Sequence, residues 1–184
     1  MIGVHLTTSP SGRIFHYMIK RLILIFAFTS GLSVSSIKAA ELFLQIDGVD
    51  GDAKEKSYEK HIVADSYQLD FQTRGTFRFA FGKSLDIATV PLMLNGASGK
   101  AIKSVVLRVA ERAATGRRDI YVVTLEGVTI ESVGSSGQSG GGTPRESFSL
   151  KYNVVRWDYK AYGADGKLLN SVSAGWHVTE NRPL

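Results

Sequence analysis

The chain has 184 residues, no cysteine, and 22 Lys and Arg against 17 Asp and Glu, a formal charge of +5. Without cysteine there is neither a disulfide framework nor a thiolate metal site. The basic excess points to nucleic acid or an anionic membrane, but residues 1–40 hold Arg13, Lys20, Arg21 and Lys38 and no acid. From Glu41 onward 18 basic residues face 17 acidic ones, and a nucleic-acid partner is excluded as the default reading.

The opening segment reads as targeting. Met18, Lys20 and Arg21 precede the apolar run Leu22 to Phe28, and small residues lead to Ala39 and Ala40. That is the layout of a secretory signal. The run is too short to span a bilayer, which takes about 20 apolar residues, so no stable membrane insertion is expected. Cleavage is expected near Ala40, with Met1 or Met18 as the start. Residues 1–40 are read as leader and signal peptide, and 41–184 as one domain, secreted or periplasmic.

Strand signals dominate this domain. Leu42, Leu44 and Ile46 alternate with Phe43 and Gln45 over Glu41 to Asp47. Gly48 to Asp52 break the run, and the charged stretch Lys54 to Lys60 predicts a solvated loop. Ile62 to Gln72 predicts a second strand, twisted or bulged, with Val63, Tyr67, Leu69 and Phe71 on one face and Asp65 as the exception. After a turn at Arg74 and Gly75, the period of two in Phe77, Phe79 and Phe81 gives a third.

One short helix is expected between Thr89 and Ser98. Thr89 is placed to cap it, Pro91 fits its first turn, Leu92, Met93 and Leu94 supply apolar contacts, and Gly99 ends it. Gly96 within it costs about 1 kcal/mol against alanine, so packing must hold the helix. Ile102 to Arg112 follows as a strand with Val105, Leu107 and Val109 on one face, and Thr115 to Arg118 as a polar turn. Ile120 to Leu125 and Val128 to Val133 come next, with a kink or bulge at Glu126 and Gly127.

The Ser and Gly tract Gly134 to Gly142 predicts a flexible loop. Beyond it Phe148, Leu150, Tyr152 and Val154 alternate, and at Val155 the pattern shifts so that Val155, Trp157 and Tyr159 become the apolar set, which predicts a bulge. A hairpin turn over Ala164 to Lys167 leads to a last strand, Leu168 to Val178. The fold class is mostly β, a small β-barrel or sandwich of about eight strands with one short α-helix.

The motifs favour no chemistry. Gly137 to Gly141 match G-x-S-x-G around Ser139, but that elbow needs a helix after it, and here Thr143 and Pro144 lead into a strand. Asp47, Asp50 and Asp52 resemble a calcium loop in composition only, because Val49 stands where an oxygen ligand is needed. His61 and His177 are too far apart in sequence to suggest a metal site, and Asp158 has no partner base. Trp157 and Trp176 suit the core or an interface. No catalytic, cofactor-binding or metal-binding residue is expected, and the chain is read as no enzyme.

The ordered set of segments resembles the haemolysin-coregulated protein (Hcp) family of the bacterial type VI secretion system. The segments are Glu41 to Asp52 with Lys54 to Lys56, Phe81 and Lys83 to Asp86, Pro91 to Leu94, Ser98 to Lys100, Tyr121 to Leu125 with Val128 to Val133, the Gly tract, and Glu146 to Leu150 through Trp157 to Tyr159. The resemblance implies a small β-barrel with a helix on its side, homohexameric rings, stacking into a tube that carries effectors, and spike and sheath proteins as partners. It implies no catalytic residue. Two features depart from the pattern: the long loop that many members carry between the second and third strands is reduced almost to Arg74 and Gly75, and a secretory signal precedes the domain.

Overall fold

The computed structural model describes residues 39–71, 77–114 and 116–184. Most of the segment expected as leader and signal, and the turn residues Arg74, Gly75 and Thr115, lie outside these. Among the described residues are ten strands and one helix: β1 (Ala40–Ile46), β2 (Ile62–Ala64), β3 (Ser66–Phe71), β4 (Phe77–Ser84), α1 (Thr89–Ser98), β5 (Ile102–Ala113), β6 (Gly116–Ser136), β7 (Arg145–Lys151), β8 (Val154–Tyr162), β9 (Leu168–His177) and β10 (Arg182–Pro183). All pairings are antiparallel.

The mostly β class with one short helix is therefore what the chain adopts, with some strand boundaries moved. The two strands expected at 120–125 and 128–133 are one strand, β6. Its first part pairs with β5 and β8 and its last part with β7. Gly127 (φ +63°) marks the change of partner, and a Cβ there would lie 2.5 Å from Asn153 Nδ2. Glycine alone meets both conditions.

The expected bulge at Val155 is instead a corner. β7 ends at Lys151, Asn153 N–H donates to Glu126 O at 2.9 Å, and β8 continues along the same side of β6 but in the other sheet. The inward set shifts by one residue because the chain changes sheet there. The same occurs at Asp65, which separates β2 from β3. Ile62 and Ala64 are buried while Val63 is exposed, so Val63 does not share the face of Tyr67, Leu69 and Phe71. Asp65 N–H donates to Gly82 O at 2.7 Å, and the chain passes at that residue from the ladder with β1 to the ladder with β4.

One sheet runs β10-β9-β8-β6-β5-β1-β2, and β6-β7-β4-β3 folds over it. Between them Phe79, Phe81, Phe148 and Leu150 pack on Leu44, Leu107, Val123 and Leu125, all 2% exposed or less. Phe81 and Phe148 stack at 5.1 Å. Each such side chain contributes about 1.5–3 kcal/mol through burial.

A second cluster lies on the outer face of β1. Phe43, which alternation places outside, is covered by Tyr58 at 4.2 Å, with Ala53 and Ala110 completing the group. The 47–61 segment is thus a packed cap with a charged rim, a correction to the solvated loop expected over Lys54 to Lys60. Likewise Gly134 to Ser136 belong to β6, paired with Arg145 to Ser147, and only the rest of the Ser and Gly tract is loop. Arg117 and Arg118, expected in a turn, are in β6 opposite Arg112 and Glu111.

Candidate assembly surfaces

Helix α1 is held from beneath by a charged network. Period two puts Lys83 on the same face of β4 as Phe77, Phe79 and Phe81, and Glu146 on the same face of β7 as Phe148 and Leu150. Both side chains are fully buried. Lys83 Nζ donates to Asp86 Oδ1 (2.6 Å), Thr89 Oγ1 (3.0 Å) and the carbonyl of Ser84 (3.0 Å), and forms an ion pair with Glu146 Oε2 at 2.6 Å. Thr89 hydroxyl donates to Glu146 Oε2 at 2.8 Å and accepts from Asp86 N–H at 3.2 Å. Buried charges persist only when paired in this way.

Thr89 is therefore not the helix cap expected of it. It is the first residue of α1, Ala88 is the N-cap without a side-chain bond, and Asp86 Oδ1 receives Ala88 N–H at 2.9 Å. The expectations for Pro91 and Gly99 stand, with Pro91 in the first turn and Gly99 closing the C-terminus at φ +64°, whereas of the three apolar residues expected to make contacts Leu94 is exposed. Gly96 brings α1 against β6, since a Cβ would lie 2.9 Å from Val133 Cγ2.

This attachment turns one face of α1 outward. Leu92 is buried, but successive helical residues diverge by about 100°, so Leu92, Met93 and Leu94 cannot all face the core. Leu94 and Val90 are exposed, as is Ile87 just ahead of the helix. No residue from Thr89 to Ser98 is charged. Charge depletion on an exposed apolar face marks interface cores.

A second exposed surface is the arm made by β8 and β9. Its tip is held by Arg118, whose guanidinium stacks 4.1 Å from the centre of the Tyr162 ring and donates to Gly166 O (3.1 Å) and Glu111 Oε1 (2.7 Å). Tyr162 hydroxyl donates to Asp119 O at 3.3 Å. The turn expected at Ala164 to Lys167 is present, with Gly166 at φ +85°. Tyr159, Leu168, Leu169 and Val172 stand exposed along the arm.

Between β3 and the arm's root lies a cleft of about 710 Å³ lined by Tyr67, Gln68, Leu69, Phe71, Tyr121 and Trp157. Phe71 and Trp157 meet at 6.1 Å across it. Burial, with a smaller contribution from Tyr67, raises the phenol pKa of Tyr121 above its ordinary value.

The residues weighed for chemistry are not brought together. Ser139 sits in the loop between β6 and β7, with strand on both sides. His61 is buried against Tyr58 at 5.7 Å. His177 ends β9, where its Nδ1 accepts from Glu180 N–H at 3.3 Å. Asp158 accepts a hydrogen bond from Ser173, its cross-strand neighbour. Asp50 pairs with Lys60 at 3.0 Å, and Val49 is buried. Among the described residues no three His, Asp or Glu side chains are grouped to hold a metal ion, and no helix is long and apolar enough to cross a membrane. Trp157 and Trp176 are half-buried against the core.

What the motif reading missed is the Lys83–Glu146 network and the bare arm. The first was detectable, since an acid and a base each fell on an inward register between aromatic residues. The second was not, because alternation does not reveal which strand lies at an edge.

A small antiparallel fold with a stapled helix and exposed apolar surfaces is the class defined here: a protein whose surfaces suit contact with other chains. Residues 43–159 match the family described as "Type VI secretion system effector, Hcp", and the chain belongs to that family. Among solved structures, one titled as a type six secretion system protein superposes with a TM-score of 0.72 at 21% identity, covering 79% of this chain and 100% of that one. Hcp1 of Salmonella typhimurium gives 0.70 at 23% identity over 79% and 99%. A type VI secretion system effector from Yersinia pestis gives 0.64 at 23% over 74% and 99%. These likenesses establish the fold. No match was found among curated proteins.

Proposed function

We propose that this chain is a structural subunit of a type VI secretion tube, assembling into hexameric rings that stack and carry effectors. The observation that carries the reading, beside family membership, is the arm: a rigidly held strand pair with an exposed apolar side and no cover among the described residues. A fold of this size gains from neighbouring copies over such a surface. Spike and sheath proteins are the further partners under this reading, which gives the chain no catalytic role. Electron microscopy and sedimentation of residues 41–184 test it. Rings are expected, and a strictly monomeric species at high concentration overturns the proposal.

We further infer export through a cleaved signal, with residues 1–40 removed and 41–184 as the mature domain. In support, β1 starts at Ala40, so a cut after Ala39 or Ala40 removes at most the first paired position of that strand. N-terminal sequencing of protein from outside the cytoplasm should begin at Ala40 or Glu41. A chain still starting at Met1 or Met18 would refute cleavage.

The aromatic cleft favours a second reading, an exported module that binds a ligand or peptide without forming tubes. It predicts a monomer with saturable binding that Trp157→Ala abolishes.

A further inference from the structure

The cleft at the root of the arm is walled by aromatic rings. Tyr67, Phe71, Tyr121 and Trp157 line a space of about 710 Å³, with Gln68 and Leu69 completing the wall. The rings come from three strands. Period two puts Tyr67 and Phe71 on one face of β3, and the register sets Trp157 of β8 beside Val123, two residues from Tyr121 on β6. Phe71 and Trp157 form a corner, their centroids 6.1 Å apart and their planes inclined at 57°. Tyr67 stacks on Phe79 at 6.4 Å. Among the described residues no ring contact closes the space between that corner and the two phenols.

The cleft has a definite electrostatic character. No Lys, Arg, Asp or Glu lines it, and the charge tied to its rim is acidic, since Gln68 Nε2 donates to Asp70 Oδ2 at 2.9 Å. Arg78, opposite Asp70 in the β3–β4 ladder, pairs with Glu131 at 3.4 Å, and among the described residues no cation pairs with Asp70. The neighbouring phenols respond to this balance. Burial, then the charge of Asp70, raises the pKa of Tyr152, which packs on Phe77 behind Phe71. Burial, then Tyr67, raises that of Tyr121. No basic group opposes either rise, whereas Arg108 and Arg117 oppose that of Tyr58.

Ring faces carry the negative side of the aromatic quadrupole, so several of them around one uncharged space attract a cation and repel an anion. The lining also selects among cations. A primary ammonium brings three N–H donors and would exchange water for a wall with few acceptors. A trimethylammonium group has no donor and presents methyl groups to the rings.

We propose that this cleft binds a trimethylammonium group of the choline type, held by Tyr67, Phe71, Tyr121 and Trp157, with Asp70 supplying attraction from the rim. The inference rests on the binding-module reading and names its ligand class.

Choline and its neutral carbon isostere dimethylbutanol test it by titration calorimetry on the full chain. Choline should saturate one site and bind about 2- to 30-fold more tightly than the alcohol, the range expected for a cation over ring faces. The ratio of the two affinities is the readout, because a merely structural role would lower both together. Tyr67→Phe keeps the ring face and should retain the preference, while Tyr67→Leu should reduce it. Asp70→Asn, at an exposed position, should reduce it without disturbing the core, and thermal melts show that each variant is folded. Vesicles of phosphatidylcholine form the second arm. Vesicle binding that choline reverses supports a lipid headgroup as the source, and saturation by choline without vesicle binding supports a free solute. Equal affinity for choline and dimethylbutanol overturns the proposal and leaves the binding-module reading standing. A preference unchanged in both Tyr67→Leu and Asp70→Asn places the cation elsewhere and also overturns it. Absence of saturable choline binding overturns it too, and sedimentation of the same sample then decides the module reading separately, which rings would refute.

Discussion

The cap over Phe43 and the β8–β9 arm pose the same physical problem and answer it differently. Phe43 points away from the main core, and Tyr159, Val172 and Leu169 lie exposed on the arm where it extends beyond that core. Over Phe43 the chain folds 47–61 into a tight cover. Gly51 has its Cα so close to His61 that a Cβ would fall 2.3 Å from the His61 carbonyl oxygen, and Ser57 and Lys60 adopt positive φ of 76° and 64°. Such conformations cost about 1–3 kcal/mol each and persist only where surroundings impose them. Here Tyr58 hydroxyl donates to Asp119 at 2.6 Å, Arg108 meets the same carboxylate at 2.6 Å, and Arg117 joins Glu41 and Glu55. Over the arm no such cover exists among the described residues. Exposed apolar area is therefore not a defect that the chain had no means to correct, since it corrected it a few strands away.

The contrast can be broken at several points, and the largest effect is expected at the cap. Phe43→Ala removes a residue only 1% exposed and should destabilise by about 3–5 kcal/mol, read by chemical denaturation. Next is the helix staple. Glu146→Ala leaves Lys83 buried with Asp86 as its remaining carboxylate, and a loss of about 3 kcal/mol is expected. Replacing the whole charged group, Lys83→Met with Glu146→Leu and Asp86→Asn, should recover most of it, because no buried charge is then left without a partner.

A smaller effect separates the cap's hydroxyl from its ring. Burial first, then the hydrogen bond to Asp119, raises the phenol pKa of Tyr58 well above its ordinary value, and burial raises that of Tyr152 from 10.0 to about 12. A raised folded-state pKa means that the neutral phenol stabilises the fold. That contribution is complete below the unfolded value near 10 and is lost as pH rises from there toward 12. Tyr58→Phe should cost about 0.5–1.5 kcal/mol at neutral pH and flatten the alkaline decline, as thermal melts at pH 8 to 11 would reveal. The smallest change in stability belongs to the arm. Leu169→Ser, at a residue 70% exposed, should stay within about 0.5 kcal/mol of the parent while reducing the sedimentation coefficient of the assembly. If Leu169→Ser costs as much as Phe43→Ala, the arm is covered in the monomer and the contrast fails.

Much of this was legible residue by residue. The alternation in Phe77, Phe79 and Phe81 and in Phe148, Leu150 and Tyr152 described the core correctly, because a strand's period of two follows from its backbone alone. Gly99 and Pro91 marked the helix ends for equally local reasons. The misplacements share one cause. Val63, the supposed bulge at Val155 and the apparent gap at Gly127 all fall where a strand changes its partner, and a partner distant in sequence leaves no local signature. Thr89 suits a cap by its type, but Asp86, Lys83 and Glu146 compete for its hydroxyl, and Glu146 is 57 residues away.

The sequence by itself determined the β class, the short helix, the turns at Gly99 and Gly166, and the absence of thiol chemistry, since these depend on backbone preference and composition. Only the tertiary structure decided that 47–61 covers Phe43, that Lys83 and Glu146 meet beneath α1, and that β3 and β9 are edges. Those outcomes depend on which strands become neighbours across dozens of intervening residues. That choice is made by the collective packing of the core, where no single segment carries enough information to predict it.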